Sequence, residues 1–293
     1  MPKPPNKVNR WTEWQPVQPA VTCTPEVLGE LIDGGQAFRW NLVEGVWRGV
    51  WANCLVELMV VDDLVQWRAP ERIAERVGQQ IPKYLGADAT YAPIWDALPH
   101  RSDPALASAM KRWPGLRILR QPFGETVLCF LCSSMKQIPS IKLICATLAE
   151  RFGREIVPGI HALPDWATLH HVSETELRSA GLGYRARHIH AASHFLAGQP
   201  GWLEVVEALP YPEAKERLMQ LPGVGAKIAD CALLFGAGRL EAFPVDTWIN
   251  RIMAEHYGLD GWKIEQVAHF GRIHFGEYAG LAQQFLFSNA RRG

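Results

Sequence analysis

Residues 221–231 read Leu221-Pro222-Gly223-Val224-Gly225-Ala226-Lys227-Ile228-Ala229-Asp230-Cys231. Apolar residues at helical spacing on both sides predict helices over 212–220 and 226–235, with the two glycines in the turn between them. Glycines two positions apart let the backbone turn tightly. The turn's amide N–H groups then stand at the N-terminus of the second helix, which favours an anion such as a phosphate. The phosphate-facing residues are therefore Gly223, Val224 and Gly225.

Helix, glycine turn and helix, spanning roughly 212–236, form a helix–hairpin–helix signature, a device for gripping the DNA backbone without reading sequence. Lys227 lies one turn into the second helix, flanked by apolar Ala226, Ile228 and Ala229. Most lysines are solvated surface groups. One partly withdrawn from water gives up its proton more readily, which frees its amine as a nucleophile. Asp246 follows in Phe243-Pro244-Val245-Asp246-Thr247-Trp248. A helix from Lys227, a turn around Gly236-Ala237-Gly238 and a return loop bring it back toward Lys227. Asp246 also suits the N-cap of a helix starting at Thr247. The roles are compatible, since a capped carboxylate is a fixed one and can stabilise a cationic sugar.

The 293 residues carry 48% hydrophobic and 20% charged side chains, with 30 basic and 30 acidic groups. That is the balance of a globular chain with a sizeable core. Zero net charge is unusual for a dedicated nucleic-acid binder, but it hides a local bias. Between Glu176 and Glu204 there is no acidic residue, while Arg178, Arg185, Arg187, His188, His190 and His194 fall there. The six scattered cysteines imply reduced thiols and an intracellular protein: cytoplasm and nucleoid in a prokaryote, nucleus in a eukaryote. Cys129 and Cys132 form a C-x-x-C inside an apolar helical run, with no second pair to complete a zinc site. No metal or cofactor is expected. Met1–Arg10 has no signal-type apolar core, and no apolar run is long enough to span a membrane.

The first third predicts strands over 37–40, 46–51, 55–61 and 64–67, the last two joined by a hairpin at Asp62-Asp63. A helix is expected over 71–84. From about Asp103 the period becomes helical, with helices over 125–136, 141–152, 247–257, 264–275 and 278–289. Ser173–Glu176 has capping-box spacing, and Gly181 ends that helix. The expected class is α+β: a small antiparallel β-rich domain over 1–105, followed by an all-helical domain over 106–293.

With these residues in view, the chain resembles the 8-oxoguanine DNA glycosylases of the helix–hairpin–helix superfamily. The resemblance rests on Gly35-Gln36-Ala37-Phe38-Arg39-Trp40, Cys132-Ser133-Ser134, Gly181-Leu182-Gly183-Tyr184-Arg185-Ala186-Arg187, the hairpin itself and Phe285-Leu286-Phe287-Ser288. It implies that Lys227 is a Schiff-base lysine and Asp246 its aspartate. It implies a nucleotide flipped out of double-stranded DNA containing oxidised guanine, and an enzyme acting as a monomer. Cys231, four residues after Lys227, would lie against the flipped base. Gln283 and Phe287, also four apart, would read its edge and stack on it. Alone, Phe287 reads as core; paired with Gln283 in the matching string, it reads as pocket. Gly35 would read the lesion's N7–H through its carbonyl. Tyr184 and Arg185, otherwise residues of a surface loop, would wedge beside the gap and contact the opposite cytosine.

The match breaks at Met135-Lys136-Gln137, where the family has a run of asparagines facing that cytosine. Ser140 replaces a family arginine and Trp248 a family histidine. Met135 can fill the gap but offers cytosine no good donor, while Lys136 could reach its edge. A relaxed opposite-base preference is therefore expected. Two other readings stand beside this one: a glycosylase for a different damaged or mispaired base, and a non-catalytic helix–hairpin–helix DNA-binding protein.

Overall fold

The computed structural model describes residues 10–292. Met1–Asn9, part of the stretch read as lacking a signal core, lies outside them. The first region is a five-stranded antiparallel sheet. Its strands are β1 (Gln15–Pro16), β2 (Trp40–Val43), β3 (Val46–Trp51), β4 (Cys54–Val61) and β5 (Leu64–Arg68), in spatial order β1-β5-β4-β3-β2. Helix α1 (Pro25–Asp33) lies between β1 and β2, and α2 (Ala74–Tyr84) follows the sheet. α1 begins at Thr24, whose hydroxyl accepts from the Val27 amide, with Pro25 in its first turn.

The central strand β4 is buried continuously from Cys54 to Leu58, so both faces of the sheet are covered. On one side Trp51 stacks on Tyr84 at 4.1 Å, and the Trp40 indole donates to the Tyr84 hydroxyl at 2.8 Å. Gly49 is required beneath Trp40, because a Cβ there would lie 2.4 Å from the indole. Glu57 is buried but receives Arg48 and Arg68, both at 2.6 Å. Two charge-assisted bonds offset the desolvation of one carboxylate.

The strand expected over 37–40 begins only at Trp40 and continues to Val43. The residues before it form a bend, held by side chains instead of a ladder. The Gln36 amide donates to Arg117 O at 3.0 Å and accepts from Leu119 N at 2.8 Å, while Gln121 donates to Gln36 O at 2.7 Å. Arg39 donates to His161 O at 2.7 Å and Cys145 O at 3.3 Å. This bend fixes Gly35, which has φ +109°.

Helices follow: α3 (Tyr91–Ala97), α4 (Pro104–Arg112), α5 (Phe123–Ser133) and α6 (Ile138–Phe152). A short hairpin, β6 (Glu155–Val157) and β7 (Ile160–His161), precedes α7 (Trp166–His170), α8 (Glu174–Leu177), α9 (Arg185–Ala197), α10 (Trp202–Ala208) and α11 (Tyr211–Leu218). The last four are α12 (Ala226–Phe235), α13 (Thr247–Tyr257), α14 (Ile264–Phe275) and α15 (Ala279–Arg292). Ser173 and Glu176 form the expected capping box, and Gly181 breaks the helix at φ +87°. The helix expected over 125–136 stops at Ser133. Ser134 turns extended and Met135 is left-handed, φ +53°, so Met135 and Lys136 sit on a loop. The buried face of α5 packs on α12, and α13 packs on α15. Among the described residues, no helix is long and apolar enough to cross a membrane.

Candidate active site

The hairpin joins α11 to α12. Gly223 takes φ +85°, and a Cβ there would meet His188 at 2.6 Å. Val224 is buried, and its amide donates to Leu221 O at 3.0 Å. Gly225 is the N-cap of α12, with no side chain bonded to the first amides. Gly223 and Gly225 are exposed, so a helix N-terminus with free N–H groups faces outward, as an anion requires.

Two residues past the Gly225 cap, Lys227 begins a helix face that it shares with Cys231, and both line one small pocket. Its walls are Gly35, Phe130, Lys227, Cys231, Phe235, Pro244, Asp246, Gln283, Gln284 and Phe287. All six residues expected at the reacting base and sugar therefore meet, from four separate parts of the chain. The cavity holds about 50 Å³, space for a few waters, so a purine enters only if the walls part.

The Lys227 ammonium lies over the Phe130 ring, 5.4 Å from its centroid. Phe130 is held edge-on by Phe38 at 5.4 Å and stacked by Phe235 at 5.7 Å. Burial pushes the Cys231 thiol up to about 11, against the pull of the adjacent Lys227 charge. Cys231 is thus a neutral, packed wall. Asp246 caps α13: one of its oxygens accepts from Ile249 N at 2.8 Å. Gln283 is buried, and its Oε1 has no hydrogen-bond partner. An unpaired buried carbonyl is costly, and the residue that carries it lines the pocket.

Phe130, Phe235, Pro244 and Gln284 were not anticipated. Phe235 extends the face of Lys227 and Cys231 by four more residues, and Pro244 sits two before Asp246, so both carried a local signal. Phe130 arrives from α5 and carried none.

The expected opposite-base group lies apart from this pocket. Met135 is 91% exposed, and Lys136 is exposed beside it. Tyr184 is 42% exposed, and its hydroxyl donates to Ser134 Oγ at 3.2 Å. Arg185 is buried. It donates to Ser134 O at 2.9 Å and to Leu182 O at 3.3 Å, and it lies 4.5 Å from the Tyr184 ring centroid. Its guanidinium braces the Met135 loop from below. Among the described residues, no group of three or more His, Cys, Asp or Glu side chains is placed to hold a metal ion.

Residues 20–127 match the 8-oxoguanine DNA glycosylase N-terminal domain, and residues 128–271 match the HhH-GPD superfamily of base excision DNA repair proteins. The chain is 32% identical to the N-glycosylase/DNA lyase OGG1 of Arabidopsis thaliana, over 94% of this chain and 80% of that one. It superposes on the Clostridium acetobutylicum 8-oxoguanine glycosylase/lyase, solved with DNA containing cytosine opposite 8-oxoguanine. The TM-score is 0.83 at 30% identity, covering 90% of this chain and 91% of the other. The fold alone is shared with a 3-methyladenine DNA glycosylase from Archaeoglobus fulgidus, at TM-score 0.72 and 19% identity over 96% and 99% of the two chains. The chain belongs to the 8-oxoguanine DNA glycosylase family of the HhH-GPD superfamily of base excision DNA repair proteins.

Proposed function

We propose that this protein is a base-excision repair glycosylase and AP lyase that removes 8-oxoguanine from duplex DNA, acting in the nucleoid of a prokaryote or the nucleus of a eukaryote. The observation that carries this reading is the meeting in one pocket of Lys227, Asp246 and Gln283, a buried residue whose Oε1 has no partner. The hairpin amides at Gly223–Gly225 hold the phosphate backbone. The damaged nucleotide leaves the stack, at a cost of a few kcal/mol that pocket contacts offset.

Inside the pocket, Gln283 Oε1 accepts from the purine's Watson–Crick edge and Phe287 stacks on its face. The Gly35 carbonyl selects the lesion. 8-Oxoguanine presents N7–H where guanine presents an acceptor, and opposing two acceptors costs about 1–3 kcal/mol. Lys227 Nζ attacks C1′ and the base departs with the glycosidic electron pair. Asp246 stabilises the positive charge that builds on the sugar. Loss of the C1′–O4′ bond gives the Schiff base, from which β-elimination cleaves the strand.

Opposite-base selectivity is relaxed in this reading, because Met135 offers no polar group and Arg185 is spent on Ser134 and Leu182. Single-turnover excision from duplexes carrying 8-oxoguanine or guanine opposite each of the four bases tests the proposal. It predicts cleavage of the lesion strand opposite several bases and no release of guanine. Inertness toward 8-oxoguanine, with excision of another damaged base, would assign the pocket to that other lesion.

A further inference from the structure

Three of the six cysteines meet behind the wedge loop. Cys129 and Cys132 stand one turn apart on α5, and Cys145 faces them from α6. All three are free and buried, and none lines the lesion pocket. The Cys129 and Cys145 sulfurs are 3.8 Å apart, within hydrogen-bonding range for thiols. Elsewhere in the chain burial dominates the thiols: Cys23 is pushed up to about 11 and Cys54 to about 12. In the cluster, hydrogen bonding shared with Cys129 and Cys132 pushes those two thiols up and holds Cys145 well below its ordinary value. The Arg39 guanidinium, whose arm donates to Cys145 O at 3.3 Å, pulls the same way.

We propose that Cys129 and Cys145 are a redox pair that closes into an internal disulfide under peroxide and thereby slows the lesion site. The Cys145 thiolate attacks one peroxide oxygen, the O–O bond breaks, and the departing hydroxide takes up the thiol proton as water. Cys145 is then a sulfenic acid. The Cys129 sulfur attacks it, the S–O bond breaks, the S–S bond forms, and a second water leaves. Two thiols lose two electrons and two protons, and one peroxide becomes two waters.

The consequence for the lesion site follows from what the two helices carry, and it rests on the function proposed above. Closing the bond draws the sulfurs from 3.8 Å to about 2.0 Å. Phe130, under Lys227, is the next residue after Cys129, and α5 ends one turn later at Ser133. α6 starts at Ile138, whose Cδ1 would lie 3.2 Å from a Cβ on Gly35. A close-packed interior passes such a displacement on, so both the Lys227 platform and the Gly35 turn move with the crosslink.

The test uses the full chain, reduced and then treated with hydrogen peroxide. Thiols titrated after denaturation should fall from six to four. Tryptic mapping should join peptide 121–136 to peptide 143–151, with fragments locating the bond at Cys129. Excision of 8-oxoguanine should drop about tenfold or more, as for ångström-scale misplacement of reacting groups, and dithiothreitol should restore it. Cys145→Ala should keep its activity under peroxide. If that variant fails to fold, the thiol count and mapping on the parent still decide. Retention of all six thiols, or oxidation confined to other cysteines, overturns the pair. A Cys129–Cys145 bond with unchanged excision overturns its link to the lesion site. A reduced protein that excises no 8-oxoguanine contradicts the proposed substrate instead, and the thiol count alone then decides the pair.

Discussion

Asp246 and Lys227 line the same pocket although nineteen residues separate them, and Asp246 reaches it already holding the Ile249 amide at 2.8 Å. The cap and the proposed catalytic carboxylate are one side chain. One oxygen fixes the orientation, and in the proposed reaction the other is left for the sugar.

Asp246→Asn separates these functions. Asparagine caps as well as aspartate, so thermal stability should stay within about 1 kcal/mol. The charge is lost, and single-turnover excision should fall about 10²-fold, as for removal of one preorganised electrostatic group. Unchanged excision would leave Asp246 a structural cap and nothing more.

In the proposed function Gln283 trades stability for binding. Its Oε1 is buried without a partner, which costs about 1–3 kcal/mol in the unliganded protein. Gln283→Leu should therefore melt no lower than the parent, while excision falls about tenfold or more through lost purine contacts. A variant that melts lower and excises normally would show the glutamine to be a packing residue.

Met135 stands at φ +53°, exposed on the loop after α5. Left-handed backbone costs an ordinary residue about 1–2 kcal/mol, less for asparagine. Met135→Asn should raise stability by about 0.5–1 kcal/mol and also place an amide beside the orphaned base. Discrimination for cytosine should then sharpen by about 5- to 150-fold, the worth of a good base contact. Excision rates opposite the four bases, before and after substitution, check this; a parent already strict for cytosine contradicts it.

Glu125 should make the fold's stability depend on pH. Burial pushes its carboxyl up to about 7, against the Ala52 amide that donates to it at 2.8 Å and the nearby Arg39. Its folded value lies above its ordinary 4.5, so the native state binds the proton more tightly than the unfolded one. The stability it contributes is full below pH 4.5 and is lost as pH rises through about 7. Glu125→Gln keeps the acceptor for Ala52 and removes the titration. It should be more stable than the parent at pH 8 by about 1–3 kcal/mol and similar at pH 4.5. Melting curves for both proteins across that range decide it. An equally steep decline in the variant places the titration elsewhere.

Local periodicity made much of the site legible. Lys227 with Cys231, and Gln283 with Phe287, each lie four apart on a helix, and that spacing alone puts each pair on one face. Ser173 and Asp246 announced their helix starts through capping chemistry. Phe130 was not legible, because α5 meets α12 only through tertiary packing and nothing near Phe130 in sequence points to a lysine 97 residues on. The Gln36 bend escaped for a related reason: its partners at Arg117–Gln121 are some eighty residues away, so an aromatic string that reads as a strand is pulled out of the ladder. Arg185 was read as a loop residue, but it is buried at the start of α9 and its donors go to Ser134 and Leu182, a choice set by the neighbouring carbonyls and not by the arginine's own string.

The most direct test of the central claim is covalent capture of the Lys227 intermediate. Duplex DNA containing 8-oxoguanine is incubated with the protein and sodium borohydride, and the adduct is digested and mapped. The parent should yield a reduced protein–DNA crosslink carried on Lys227. Lys227→Gln should give no crosslink and no strand cleavage while still binding the duplex. An adduct that persists in Lys227→Gln, or that maps to another amine in the parent, would contradict the account.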